Sequence, residues 1–284
     1  MKRAIYIILT LAFSISASAQ DKTTRLIVRG DDMGYTHSGN EALIKCYKDG
    51  IETSIEVIVA SPWFPEAVKL LQQNPGVDVG IHLALTSEWE NIKWRPLSNA
   101  ASLEDSNGYF YPMVYPNKNY PGQSILENHA AIADIEKEFR LQIETALKKI
   151  PRISHISSHM DCTNMNDEVK ALTKKLAKEY KIDIDLDDFG VKYAGYDGPS
   201  KTGKEKIQSF LNMLNKLEPG KTYWFIDHPG IDNEELKAVY HIGYEQVAAD
   251  RQGVTDLFIN EKVKALIKQK GIVLISYKDL LQKK

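Results

Sequence analysis

Cysteine is nearly absent from this chain: Cys46 and Cys162 are the only two in 284 residues. Two thiols permit one bridge at most, so no disulfide framework holds the fold. Cys46 falls inside a helical pattern and reads as a small buried residue. An excess of one charge is missing as well. There are 36 Lys and Arg against 38 Asp and Glu, for a formal charge of −2. Lysines are interleaved with glutamates along the helical stretches. Such a balance leaves no electrostatic footprint for nucleic acid. After the first twenty residues no apolar run is long enough to span a bilayer. Linkers rich in Gly, Ser or Pro, internal repeats and low-complexity segments are also lacking. With 43% hydrophobic residues, the chain is expected to fold as one domain around a sizeable core.

The beginning of the chain is of a different kind. Lys2 and Arg3 precede the apolar stretch AIYIILTLAFSIS, and Ala17-Ser18-Ala19 offers a small-residue cleavage site before Gln20. This pattern predicts a secretory signal peptide over residues 1–19, too short for a comfortable membrane anchor. The mature domain, 20–284, is then exported to a periplasmic or extracellular space, with no stable membrane insertion.

Short apolar runs alternate with helical patterns through the rest. Strands are expected at 25–30, 54–60, 77–85, 153–157, 182–186, 222–226 and 271–276. Helices are expected at 39–48, 64–73, 166–180 and 204–217, near 243–251, and at 256–270. Another carries Ile132, Ile135, Phe139, Ile143 and Leu147 at helical spacing, preceded by a Ser124-x-x-Glu127 capping box. Strand–helix alternation predicts an α/β fold of about seven parallel strands, closed or nearly closed into a (β/α) barrel.

Polar residues gather at the strand ends on this map. LIVRGDDMG ends the first strand in two adjacent carboxylates, Asp31 and Asp32. His82 lies on the third strand, His159 follows the fourth and His228 the sixth. The C-terminal rim of a β/α barrel carries its active site. Two imidazoles with one carboxylate suit a divalent cation with open positions, zinc above all. The second carboxylate of the pair is then free to act as a base. Adjacent residues of an extended strand point to opposite sides, so both reach one site only if the chain turns after Gly30; Gly34 would permit it. His155, four residues before His159, should point to the same side but deeper. His37, His129 and His241 fall away from strand ends and are taken as structural or surface residues.

At these residues the chain resembles the YdjC-like carbohydrate deacetylases, the chitooligosaccharide deacetylase family. IVRGDDMG, DVGIHLALT, SHISSHMD and DHPG resemble the family motifs in order, as do RQGVTDLF and GIVLISYKDL near the C-terminus. The resemblance implies a distorted (β/α) barrel, one divalent metal ion (zinc or magnesium) and hydrolysis of an N-acetyl group on an amino sugar or oligosaccharide. By position, Asp32, His82 and His159 would be metal ligands, Asp31 the base and His228 the acid. Arg251 either lies near the substrate, supporting Asp31 by charge, or is a residue of a helix surface. The chain departs from the family at Arg29-Gly30, where many members have Asn-Ala, and at Met160-Asp161, where many have further histidines.

The remaining feature is an irregular segment, 86–123, rich in aromatic residues: Trp89, Trp94, Tyr109, Phe110, Tyr111, Tyr115 and Tyr120. So long a stretch suits a binding loop. Trp89 and Trp94 are expected to face the sugar, and about half of the set to pack the loop onto the barrel. Two other functions share the scaffold: a metal-dependent phosphodiesterase, and a glycan-binding protein without catalysis. No clear Gly-rich anion loop or Arg cluster favours the first, and the intact Asp31, Asp32 and His228 speak against the second. The oligomeric state, a homodimer included, is left open.

Overall fold

The computed structural model describes residues 22–283; the expected signal peptide lies outside them. The elements run β1 (Arg25–Met33), α1 (His37–Asp49), β2 (Ser54–Val57), α2 (Phe64–Gln73), β3 (Asp78–Leu83), α3 (Ile132–Lys149), β4 (His155–Ser158) and α4 (Asp167–Glu179). Then follow β5 (Lys192–Tyr193), α5 (Gly203–Lys216), β6 (Thr222–Asp227), α6 (Glu234–Lys237), α7 (Val247–Phe258), α8 (Glu261–Gln269) and β7 (Val273–Leu274). All the strand pairings are parallel, in the order β4-β3-β2-β1-β6-β5. β7 shares β1 with β2, pairing with Arg25 and Leu26 while β2 pairs from Arg29 onward. The result is a curled half-barrel in a single domain, with helices packed around it.

Alternation along β1 separates two environments. Leu26 and Val28 face the helices, in a core with Phe210, Leu214, Val254 and Phe258. Ile27 faces the other way, into a smaller core with Ile184, Val191, Tyr277 and Leu280. Arg29 and Asp31 have the parity of Ile27 and so belong to the concave interior.

The sheet departs from the expected barrel at its fifth strand. Residues 182–186 form no strand; the two-residue β5 comes later. Ile182, Ile184 and Leu186 are buried or half-buried while Asp183 is exposed. The period-two pattern therefore reports side-chain burial, not backbone pairing. This segment crosses the open side of the half-barrel. There a cavity of about 470 Å³ remains, lined by Arg29, Ser157, Ile184, Trp224 and Tyr277 among others.

Two helix expectations also change. The stretch 256–270 is broken in two because Asn260 caps a new helix, its side chain accepting from the N–H of Lys262 and Val263. The preceding helix is Val247–Phe258 rather than one centred on 243–251. The Ser124–Glu127 reciprocal bonds do form, but on a turn; α3 starts only at Ile132. Cys46 and Cys162 are both free and buried, so no bridge joins them.

The irregular segment 86–123 is fixed to the barrel by α3. Glu138, fully buried, accepts from the backbone N–H of Leu97 and Ser98. Gln142 bonds Ala84 through both ends of its amide. Tyr120 Oη donates to Glu90 and accepts from the N–H of Ile242, stapling the segment to the loop before α7. Trp89, Trp94, Phe110 and Tyr120 are buried, Tyr109 and Tyr111 half-buried, and Tyr115 exposed.

Beneath Gly30 lies Glu52, buried at 3% exposure, and neither carboxyl oxygen has a hydrogen-bond partner among the described residues. A Cβ at residue 30 would sit 2.7 Å from the Glu52 carboxyl carbon and 2.5 Å from Leu43 Cδ2. Only glycine leaves that space. Burial, then the charges of Asp31 and Glu56, push the Glu52 carboxyl well above its ordinary 4.5. The folded state thus retains a proton that the unfolded chain releases. The contribution of this group to stability falls as pH rises above about 4.5 towards the folded value. Glu52→Gln should therefore gain stability relative to the parent on going from pH 4.5 to pH 8. Urea unfolding at the two pH values measures it; a constant difference would mean Glu52 does not titrate on unfolding.

Candidate metal centre and its carboxylates

Both aspartates reach one site because β1 kinks between them. The β1–β2 register shifts between Gly30 and Met33, and Asp32 adopts φ +70°. Aspartate tolerates the left-handed region better than most residues. The turn thus lies at Asp32 itself, inside the strand, and β1 continues to Met33. Gly34, also at positive φ, then directs the chain into α1. There its N–H donates to Asn40 Oδ1 at 2.7 Å.

Asp32 faces a different group with each oxygen. Oδ1 lies 3.1 Å from His159 Nδ1 and 3.4 Å from His82 Nε2. Oδ2 accepts from Arg251 Nη2 at 2.9 Å and lies 3.9 Å from His228 Nε2. Burial would raise the Asp32 carboxyl, but His228, Arg251 and His159 outweigh it and hold it well below the carboxylate range. Asp32, His82 and His159 are buried, and one ligand atom from each lies within 4.8 Å of the others. A buried carboxylate with two converging imidazoles fits a divalent cation, so the donor set matches the expected ligands.

Asp31 is held separately. Arg29 grips it with a fork, Nε to Oδ1 at 2.8 Å and Nη2 to Oδ2 at 2.9 Å. Asp31 Oδ2 lies 3.6 Å from His82 Nε2, next to the cluster. Arg29 also donates to Tyr277 Oη and lies over the Trp224 ring. The sequence departure at residue 29 is therefore a partner of Asp31.

Arg251 is buried, not on a helix surface, and its partner is Asp32 rather than the expected Asp31. Its guanidinium carbon lies 4.6 Å from the centroid of Tyr35 and 5.2 Å from that of Trp89. Its Nε and Nη1 have no hydrogen-bond partner among the described residues; the aromatic faces occupy that side. Trp89 and Trp94 are 2% and 3% exposed, so neither shows a sugar an open face in this conformation. Trp89 backs Arg251, and the Trp94 ring centroid is 6.2 Å from that of His159. Tyr115 is the exposed aromatic of the segment at the rim, its hydroxyl donating to Asp161 at 3.2 Å. Met160 and Asp161 are both left-handed, at φ 49° and 62°.

His228 differs from the other site imidazoles. Its side chain is 38% exposed and lies 3.5 Å from Asp227. Burial would lower its pKa, but the charge of Asp32 and the bond to Asp227 outweigh that and raise it.

Three residues of the site escaped the sequence reading. Glu88 accepts from His159 Nε2 at 3.0 Å. Ser157 lies 2.8 Å from His82 Nδ1, and its hydroxyl donates to Glu56 at 2.6 Å. His155 does point inward as expected: fully buried, it bonds Glu56 and stacks on Tyr277 at 3.5 Å. Glu56 carried one signal, an acid at the centre of the apolar run SIEVIVA. Glu88 and Ser157 carried none.

A model of the YdjC-like protein family matches residues 25–269. The chain belongs to the YdjC-like family. It is 31% identical over 267 residues to a protein of Clostridium beijerinckii named carbohydrate deacetylase, covering 90% of this chain and all of that one. A protein of the same name from Oceanobacillus iheyensis is 32% identical over 226 residues, covering 75% and 88%. A solved structure from Enterococcus faecalis, of a protein named for cellobiose-phosphate cleavage, superposes with a TM-score of 0.70. It covers 91% of this chain and 99% of its own at 22% identity, a likeness of fold.

The packing around Arg251 predicts the effect of truncating Trp89. Trp89→Ala should cost about 3–5 kcal/mol in unfolding free energy, read from denaturant midpoints. A variant as stable as the parent would return Trp89 to a sugar-facing role.

Proposed function

We propose that the chain is a metal-dependent carbohydrate N-deacetylase that hydrolyses the acetamide of an N-acetylated sugar or oligosaccharide. The observation that carries this is the buried Asp32, His82 and His159 cluster with a second carboxylate, Asp31, beside it. Relatives named carbohydrate deacetylase supply the substrate class. Asp32, His82 and His159 would hold one divalent cation, zinc or magnesium. When bound, it supplies positive charge that acidifies a water and polarises a carbonyl.

The chain's own residues do the rest. Arg29 keeps Asp31 in place through two parallel bonds, leaving each oxygen a further lone pair to accept a proton from water. Arg251, fixed between Tyr35 and Trp89, neutralises the outer oxygen of Asp32 and leaves Oδ1 to the imidazoles. His228, raised in pKa and partly exposed, holds a proton where an incoming substrate meets the site and gives it to the leaving amine. The exposed Tyr115 offers the rim a flat face for a sugar ring. Trp89 and Trp94 then act on the substrate from behind, through Arg251 and His159.

Acetate release from N-acetylated mono- and oligosaccharides tests the activity, and two variants test the roles. Asp31→Asn should keep the metal and lose about 10²–10⁴ in kcat, since an amide cannot take the proton. Asp32→Asn should lose metal and activity together. Metal content alongside kcat decides; loss of metal from Asp31→Asn with retention in Asp32→Asn would reverse the two roles.

The signal-peptide pattern of residues 1–19 supports export of this chemistry, to the periplasm or beyond. The secreted protein should begin at Gln20 when its N-terminus is sequenced. A mature protein still starting at Met1 would refute export by this route.

A further inference from the structure

His82 and His159 each offer two ring nitrogens, and the partners around them decide which one faces the cation. Glu56 is an acceptor. Burial would raise its carboxyl, but His155, Arg29 and the bond from Ser157 outweigh it and hold it ionised. It receives Ser54 Oγ at 3.0 Å, His155 Nε2 at 2.9 Å and Ser157 Oγ at 2.6 Å. Ser157 has a single proton. Its other acceptor, the Ile81 carbonyl at 3.4 Å, cannot donate either. The Ser157 oxygen must therefore accept from His82, so His82 Nδ1 carries the hydrogen and Nε2 is bare. That nitrogen is the one facing Asp32 Oδ1.

His159 is decided by position instead, with the opposite outcome. Glu88 is 4% exposed and 3.0 Å from Nε2. Asp32 Oδ1 lies 3.1 Å from Nδ1, so a carboxylate faces each ring nitrogen of His159. Asp32 belongs to the cluster and Glu88 does not, so a cation held there would take Nδ1 and leave Nε2 to donate to Glu88.

We propose that Glu56, acting through Ser157, and Glu88 are positioning residues that fix opposite tautomers of the two imidazoles. His82 then presents Nε2 and His159 presents Nδ1 to the cation. This rests on the metal reading above. Hydrogen-bonded partners of this kind orient a ligand ring and raise its basicity, and their loss typically costs about 10–100-fold in metal affinity.

The test uses the full mature chain with isotope-labelled histidine nitrogens, loaded with NMR-active cadmium. Cadmium should couple to His82 Nε2 and to His159 Nδ1, with ring hydrogens on the other two nitrogens. Ser157→Ala and Glu88→Ala should each weaken cadmium binding about 10–100-fold by competition with a chelator. Ser157→Thr and Glu88→Gln retain the accepting oxygen and should bind within a few-fold of the parent. Circular dichroism and unfolding midpoints separate an affinity loss from misfolding, and the conservative pair reads the proposal even if an alanine variant fails to fold. Cadmium coupled to the opposite nitrogens would overturn this inference alone, as would parental affinity in both alanine variants. No bound cadmium in the parent would overturn the metal reading and the inference together.

Discussion

A carboxylate at 2% exposure in the mouth of a half-barrel has to be surrounded by positive charge. Asp32 is that carboxylate, and much of the surrounding structure answers to it. Arg251 reaches it from α7, His159 from the end of β4, His82 from β3 and His228 from the end of β6. These four groups come from four elements scattered along the chain. The parallel sheet brings three of those strand ends to one rim, and α7 packs beside it. Without compensation the ionised form would be costly; with it, the carboxyl stays ionised.

A second rule governs the layer behind. Each cationic or imidazole group near Asp32 has its own backing. Arg251 lies between two aromatic rings, His159 rests on Glu88, and His82 rests on Ser157 and Glu56. Asp31 is backed by Arg29. Each of these groups thereby has a counter-charge, a hydrogen-bond partner or an aromatic face behind it. Because these contacts are side chain to side chain, a small shift in any one element is felt at the centre.

Much of this was legible in the sequence, and the reasons are physical. The apolar runs around Ile27, Ile81 and Phe225 mark three strands because buried parallel strands are apolar on both faces. Helix α2 was read to the residue, since its apolar spacing is regular and Pro65 marks its start. The histidines stood out because they follow apolar runs. What was not legible depends on long-range geometry. Ile182–Leu186 has the alternation of a strand but lacks a neighbour to pair with. The kink at Asp32 is a backbone choice that no residue type dictates. The partners of Arg251 and Arg29 could not be told apart, because both aspartates stand next to each other in the chain. Glu88 and Ser157 look like ordinary loop and strand polar residues until their partners arrive from elsewhere.

Gly30 and Glu52 illustrate how such a network constrains descent. The two residues are 22 positions apart and share one volume, since a methyl group at 30 would occupy the space of the Glu52 carboxyl. Neither can drift alone. A lineage that acquires alanine at 30 must first shorten or redirect the side chain at 52, while one that keeps glutamate at 52 is bound to glycine at 30. Because residue 30 lies between Arg29 and Asp31, the clamp on Asp31 is tied to a side chain on the far side of the sheet. The order in which these substitutions could accumulate is thereby set by steric exclusion, well before any selection on the reaction itself.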